Sequence, residues 1–350
     1  MREAHSGGAD ETVELAALEN PVRRFDSDVL QQMRRRGDGV KDCPVLAACS
    51  GGGDSVALLA CLVALKESLN VEITAAHVDH GLREESAEEA AFVKDICKKF
   101  GIPFRSCSVN VEAYSLRAGL SIEMAARELR WSWLKKEAAL IGAPLVATGH
   151  TIEDHTETVF VRLARGSGLG CLTGLPAVQP PRWSPLIECR REDLRNYLRK
   201  SGLDWREDGS NDAGFTPRNR WRKHLADFRN EAPKIDDHLL ETHRQAAELL
   251  KIRDSIVSSW KGERWGITEA GHIWLALHWT PVDLEWVLEA AFRELGDQRE
   301  PGLLRGLAGW ISKVLARQIK RTWKWGNWSI RPHPKGAELK PMQQCASKMV

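Results

Sequence analysis

Apolar, β-branched segments alternate with helix-length segments from about residue 44 to residue 164, and this alternation constrains the fold more than any other feature. The predicted strands are Pro44–Cys49, Val71–Val78, Pro103–Val109 and Pro144–Thr148. The predicted helices are Ser55–Lys66, Glu85–Phe100, Ser121–Ile141 and Glu153–Ala164. Strands separated by such helices form βαβ units, so we predict a doubly wound, mainly parallel α/β sheet with helices on both faces.

The composition is that of a globular protein with more than one domain. The chain has 350 residues, of which 43% are hydrophobic and 28% charged, values that make disorder improbable away from the ends. The longest apolar run, Val56 to Leu65, is about half of what a membrane helix needs. The polar, acidic start does not match a signal peptide. We therefore expect a cytoplasmic protein with no membrane partner.

A glycine-rich turn, Ser50-Gly51-Gly52-Gly53-Asp54-Ser55, joins the first predicted strand to the first predicted helix. Glycines allow backbone amides to approach a phosphate closely, and the start of a helix directs further amides and a positive dipole end to the same place. The turn lacks the lysine and the length of a Walker loop. The sequence predicts a pyrophosphate cradle here, with a simple capped turn as the alternative.

Two helical segments carry candidate polar groups. Glu123, Arg127 and Arg130 share one helix face, where they either meet a phosphate or carboxylate or form a solvated face. After the fourth strand, Asp154 and Glu157 lie on one face with His150 just before them. These carboxylates suit Mg²⁺ or a substrate amine, although Thr151 and Asp154 also match a capping box.

Two further clusters of polar residues each allow a functional and a structural interpretation. His77, Asp79 and His80 follow the second strand, but alternation places the first two on the opposite side from His80, so a metal site is disfavoured. Basic residues with an interleaved indole suit nucleic acid or a charged surface loop; they are Arg218, Arg220, Trp221, Arg222 and Lys223. The last fifty residues hold ten Lys and Arg against Glu338, which favours a nucleic-acid partner.

Together these motifs resemble the tRNA(Ile)-lysidine synthetase family of N-type ATP pyrophosphatases. The matching segments are Ser50–Ser55, Asp79–Arg83, the set Glu123, Arg127 and Arg130, His150–Thr158, Arg165–Gly168, Gly174–Leu175, Trp205–Asn211 and Arg218–Arg222. The sequence departs from the family pattern at three places: Glu153 replaces an Asp, His155 a Gln, and Ser184 an Arg.

The resemblance implies a reaction in two steps. ATP adenylates the wobble cytidine of a tRNA(Ile) with a CAU anticodon, and free L-lysine then displaces AMP to give lysidine. The implied co-substrate is ATP with Mg²⁺, and the implied partner is that tRNA. The sequence does not decide the oligomeric state, and a homodimer stays open.

The resemblance also implies roles for residues and regions. Catalytic roles fall on Asp54, Arg127, His150, Asp154 and Glu157, with Asp54 and Asp154 as candidates for Mg²⁺. ATP binding falls on Ser50, Gly51, Gly52, Gly53, Asp54 and Ser55, and substrate binding on Glu123, Arg130, Arg218, Arg220 and Arg222. The expected regions are an extension (1–40), a catalytic domain (41–229), a helical linker (230–262) and a small basic tRNA-binding domain (263–350).

Three different activities compete with this interpretation. A tRNA thiolase uses the same adenylation, but such proteins typically carry paired CxxC motifs, and no two of the eight cysteines are separated by only two residues. We expect those cysteines to be buried apolar side chains outside disulfides. The second alternative is a non-catalytic tRNA-binding protein, and the third is a small-molecule amidating ligase.

Overall fold

The computed structural model describes residues 42–81, 86–207, 217–297 and 301–342. The expected extension, residues 1–40, lies outside the described residues. The described chain divides into two compact units. One comprises the residues up to Thr158 together with 175–240, and the other comprises 159–174 and the residues from 241 onward. The finer domain boundaries given above stay predictions.

The first unit is built on a six-stranded sheet. Its strands are β1 (Val45–Ala48), β2 (Ile73–Asp79), β3 (Phe104–Ser108), β4 (Val146–Ala147), β5 (Val178–Gln179) and β6 (Arg182–Trp183). Their order is β3-β2-β1-β4-β6-β5. All neighbouring pairs are parallel except β5 with β6. The predicted mainly parallel sheet is therefore confirmed.

Helices connect and follow these strands. In chain order they are α1 (Gly53–Leu69), α2 (Ser86–Lys99), α3 (Val111–Ala118), α4 (Ile122–Leu140), α5 (Ile152–Ala164), α6 (Arg191–Lys200) and α7 (Pro217–Glu231). Ser121 caps α4, since its side chain accepts a hydrogen bond from the Met124 amide. The sequence analysis missed α3, which Asn110 caps in the same way. It also missed the two-residue strands β5 and β6.

Both faces of the sheet are covered. Buried side chains of α1, such as Leu58, Leu59 and Leu62, pack in one cluster with Val45 and Ile73 of the strands. Leu46 and Ala76 belong to another cluster, with Leu134 and Ala138 of α4. Because successive strand residues point to opposite faces, β1 and β2 supply both clusters, and the carboxyl ends of the strands stay open for a ligand.

The second unit combines an antiparallel sheet with helices. Its strands are β7 (Trp265–Ile267), β8 (Ile273–Ala276), β9 (Trp323–Trp325), β10 (Trp328–His333) and β11 (Gly336–Pro341), in the order β7-β8-β11-β10-β9. Its helices are α9 (Pro281–Glu294) and α10 (Pro301–Leu315), and the residues from 241 of α8 (Ile235–Ser259) also belong to it. The core includes Phe292, Ile311 and Ile330.

Two other expectations concern the described residues. Seven cysteines are free: five are buried, as predicted, whereas Cys43 and Cys107 are half-buried, and Cys345 lies outside the described residues. Within the described ranges, no helix is both long enough and apolar enough to span a bilayer.

Candidate active site

The predicted pyrophosphate cradle is a tight loop between β1 and α1. Gly51 has a φ of 91°, a left-handed conformation that favours glycine. The Ser55 hydroxyl donates to the Gly52 carbonyl at 2.9 Å and accepts from the Ser50 amide at 3.1 Å. The N-cap residue Gly52 provides no side-chain cap. The amides of Ser55 and Val56 donate to the Gly52 carbonyl at 3.0 Å, whereas no described residue accepts from the amides of Gly53 and Asp54, which are available for an anion.

Other segments press closely on this loop. A Cβ on Gly149, just after β4, would lie 2.8 Å from the carbonyl oxygen of Asp54. A Cβ on Gly53 would lie 3.3 Å from the Trp205 ring. The Arg206 amide donates to the Gly51 carbonyl at 3.0 Å. The conformation of the loop thus depends on segments about 100 and 150 residues further along the chain.

Three carboxylates predicted for the site, Asp54 on α1 and Asp154 and Glu157 on α5, contact one guanidinium group. Nε of Arg191 lies 3.2 Å from Asp54, Nη2 lies 2.7 Å from Asp154, and Nη1 lies 3.3 Å from Glu157. The Arg191 amide also donates to the Glu153 carboxylate at 3.0 Å. Sequence reasoning missed Arg191, the first residue of α6. Its one signal is a basic residue at a helix N-terminus, where the dipole favours acids.

A second arginine anchors the buried end of this acidic cluster. Arg222 of α7 donates to both oxygens of Glu157, from Nε at 2.9 Å and from Nη2 at 3.2 Å. Glu157 is fully buried. Such a fork-to-carboxylate pair fixes the geometry of both groups. Arg222, predicted to bind substrate, therefore lies within the acidic cluster.

Burial and neighbouring charges raise the pKa values of both Asp54 and Arg191, for different reasons. Burial raises the pKa of Asp54 from 3.8 to about 6, although the positive charge of Arg191 opposes the shift. Burial lowers the pKa of Arg191, but the charges of Asp154, Glu157 and Asp54 outweigh it and raise that pKa overall. Arg191 stays charged, while Asp54 titrates close to neutral pH.

One of the two hydrogen bonds of the predicted capping box is given by the structure at the start of α5. Oδ2 of Asp154 accepts from the Thr151 amide at 3.0 Å and from the Thr151 hydroxyl at 3.3 Å. Since Oδ1 bonds Arg191, both oxygens of Asp154 are engaged. Among the described residues, no group of three or more His, Cys, Asp or Glu side chains is arranged to hold a metal ion. His77 instead makes a 2.9 Å hydrogen bond from Nδ1 to the Cys49 carbonyl.

His150 is oriented by two hydroxyl groups. Its Nδ1 lies 2.8 Å from the Thr148 hydroxyl and 3.1 Å from the fully buried Ser184 hydroxyl. Thr148 also donates to the Trp183 carbonyl at 3.2 Å, and its hydroxyl lies 3.0 Å from that of Ser184. Ser184, which departs from the family pattern, thus contacts and orients His150, a predicted catalytic residue.

The remaining predicted residues are not part of this cluster. Glu123 and Arg127 are exposed on α4 and form no ion pair with any described residue. Arg130 is half-buried, and after burial its charge is the main cause that lowers the pKa of His80. Arg220 is exposed, and the side chain of Arg218 lies outside the described residues. The roles predicted for these residues stay predictions.

Fold and site define a nucleotide-binding α/β domain, with a phosphate loop at the carboxyl end of a parallel strand. The PP-loop domain family matches residues 24–228. The chain belongs to the PP-loop family.

The chain is also similar to curated proteins that are named tRNA(Ile)-lysidine synthase. The chain is 35% identical over 230 residues to the tRNA(Ile)-lysidine synthase of Dehalococcoides mccartyi, covering 63% of this chain and 49% of the relative. It is 37% identical over 188 residues to that of Nitratidesulfovibrio vulgaris, covering 53% and 54%. The chain thus spans about half the length of the curated relatives that it matches.

A solved structure supports the fold alone. The U34-tRNA thiolase NcsA of Methanococcus maripaludis, solved with its [4Fe-4S] cluster, superimposes with a TM-score of 0.51 at 16% identity. The match covers 69% of this chain and 80% of the thiolase.

Proposed function

We propose that the protein joins L-lysine to the 2-position of the wobble cytidine of a tRNA(Ile) with a CAU anticodon, at the expense of ATP. The observation that carries the proposal is the placement of the Ser50–Ser55 loop directly beside the acidic cluster of Asp54, Asp154 and Glu157. An anion site suited to the pyrophosphate of ATP and a cation site suited to an ammonium group therefore adjoin. The named relatives supply the identity of the amine and of the RNA.

In the first step, the cytosine O2 forms a bond to the α-phosphorus of ATP, and the bond to the β-phosphate oxygen breaks. Pyrophosphate takes the electron pair of the broken bond. The open amides at the start of α1 receive the negative charge of the leaving group. His150 follows β4 at this edge of the sheet, and its Nδ1 is held by Thr148 and Ser184.

In the second step, the lysine amine attacks C2 of the activated base, and AMP leaves with the electron pair of the C2–O bond. The attacking nitrogen must lose its proton, and the imidazole of His150 is the candidate acceptor. The acidic cluster suits the other cationic group of lysine. Three carboxylates contact the guanidinium groups of Arg191 and Arg222, and a fourth, Glu153, accepts from the Arg191 amide, so this set is negative when all are ionised.

Asp54 suits Mg²⁺ better than Asp154 does. When bound with ATP, the ion would neutralise charge on the phosphates. Arg191 bonds only Oδ2 of Asp54, and no described residue donates to its other oxygen, so Asp54 can hold the ion together with phosphate oxygens. Asp154 is engaged at both oxygens and is the weaker of the two predicted ligands.

The tRNA is the proposed partner of the basic second unit. Between residues 301 and 342 the charged side chains comprise nine Lys and Arg and a single acid, Glu338. Such a surface neutralises phosphates, while the reacting cytosine must leave its stack to reach the loop. A cytoplasmic location, where this RNA resides, belongs to the same proposal.

The test measures AMP release and lysine incorporation with a tRNA(Ile) transcript carrying a CAU anticodon, with a tRNA(Met) transcript as the control. Lysine incorporated only into the former supports the proposal. ATP cleavage without lysine incorporation contradicts it and makes sulfur transfer the next activity to assay. ATP turnover without any RNA instead indicates a small-molecule ligase, and an absence of turnover a non-catalytic RNA-binding protein.

A further inference from the structure

Arg191 joins parts of the site that are remote from one another in sequence. Asp54 lies on α1, next to the phosphate loop, whereas Asp154 and Glu157 lie on α5. Each of the three nitrogens of the guanidinium group bonds a different one of these carboxylates. The Arg191 amide holds Glu153 as well. A single residue of α6 thus sets the distances among the acids of the site.

This arrangement is costly for stability, which is why we assign it a role beyond holding the fold. Arg191 and the three acids are mostly withdrawn from water, with side-chain exposures of 20% for Arg191, 29% for Asp54, 10% for Asp154 and 0% for Glu157. Desolvating such charges offsets much of their attraction, and apolar side chains of similar volume often stabilise as well or better. Arg191 also places a positive charge at the first residue of α6, against the helix dipole.

We infer that Arg191 is a positioning residue of the reaction, which holds the acid beside the phosphate loop in register with the two acids of α5. The inference rests on the proposed function, because the distance that it fixes is that between the ATP end and the amine end of the site. Arg191 acts through Asp54, Asp154 and Glu157 and is not itself proposed to touch the reacting atoms. None of the sequence motifs assigns it a role.

The variant that tests the inference is Arg191→Lys. An ammonium group keeps the charge but has no planar fork, so it cannot bond three carboxylates in this geometry. We expect AMP formation with the tRNA to fall about 100-fold in kcat, because a displacement of about 1 Å costs that much. The KM for ATP should stay within about threefold, since the loop that binds the phosphates is untouched.

A second variant, Arg191→Ala, separates positioning from a merely structural role. We expect added methylguanidinium to restore part of the AMP formation of Arg191→Ala but none of that of Arg191→Lys, whose ammonium still occupies the space. Arg105→Ala is the matched control, because Arg105 pairs with Glu137 at 3.1 Å on β3, outside the site. It should keep wild-type activity and show no response to methylguanidinium.

Two results would overturn the inference. One is an Arg191→Lys enzyme whose kcat lies within about threefold of the wild type, or whose defect appears only in the KM for ATP. The other is an absence of rescue combined with a loss of thermal stability that matches the loss of activity. Lysine incorporation by the wild type is scored separately. If it fails while AMP still forms, the proposed function is wrong and the comparison of the Arg191 variants remains valid.

Discussion

The Cα of Gly149 lies against the backbone of Asp54. A Cβ at residue 149 would contact three backbone atoms of Asp54 and Ser55. The distances would be 2.8 Å to the Asp54 oxygen, 2.9 Å to the Asp54 carbonyl carbon and 3.1 Å to the Ser55 nitrogen. All three atoms belong to the backbone at the start of α1, so no side-chain rotation relieves the contact. The close approach of the end of β4 to the phosphate loop therefore requires a residue without a Cβ at position 149.

The first prediction concerns this contact. Gly149→Ala should shift the start of α1 and lower AMP formation about 100-fold, because the loop amides lose their alignment. The accompanying loss of stability should be about 1–3 kcal/mol, as is usual for overpacking. Steady-state kinetics and thermal unfolding measure the two effects. Gly170→Ala is the control, since a Cβ there meets nothing within 4 Å. Wild-type kinetics in Gly149→Ala would contradict the prediction.

The second prediction concerns the stability cost of Asp54. Its pKa is raised from 3.8 to about 6 in the folded protein, chiefly by burial, so the folded state binds the proton more tightly than the unfolded chain does. Stability is therefore lost as the pH rises from about 4 through about 6. Asp54→Asn lacks this titration and should be more stable than the wild type above pH 6, by on the order of 2 kcal/mol.

Urea unfolding between pH 4 and pH 8 measures the difference, which should vanish toward pH 4. Asp193→Asn, an exposed position on α6, is the control for the substitution itself. A difference of the opposite sign above pH 6 would show that the pair with Arg191 outweighs burial. Asp54→Asn should at the same time abolish AMP formation and leave tRNA binding intact, since stability and activity conflict at such sites.

The third prediction concerns the hydroxyl pair behind His150. Thr148→Val or Ser184→Ala each removes one hydrogen bond to Nδ1, worth about 1 kcal/mol, or roughly fivefold in rate. The double variant should lose more than the product of the single effects, because no hydroxyl group then fixes the ring. Single-turnover AMP formation measures the rates, and nitrogen chemical shifts of His150 report the tautomer. An unchanged tautomer in the double variant would refute the assignment.

The sequence predicts β1 to β4 and the helices α1, α2, α4 and α5, because buried strands and long helices leave a periodic pattern in the chain. It does not predict β5 and β6, which are two residues long and cannot show a period. The glycine-rich turn at Ser50–Ser55 is predictable from its residue types, whereas the remote segments that press on it are not. Arg191 is not, because its partner Asp54 lies 137 residues away in the chain.

Arg222 shows the same limit of predicting site residues from the sequence. Its neighbours Arg220 and Lys223 are charged too, so the sequence predicts a basic surface and cannot tell which guanidinium turns inward. The structure pairs Arg222 with the buried Glu157 and leaves Arg220 exposed. Which arginine lines a site is decided by tertiary packing, and a pattern of charges along one helix does not contain that information.

The last prediction concerns RNA binding by the second unit. Arg317, Lys320, Arg321 and Lys324 are exposed and lie at or beside the edge strand β9. If they contact phosphates, each alanine substitution should weaken tRNA binding and reduce the slope of log affinity against log salt by about 1. Lys251→Ala on α8 is the control, because that lysine is exposed but already paired with Glu248 at 2.6 Å. Filter binding across a salt series measures the slope. A slope that stays constant in all four variants would place the RNA on another surface.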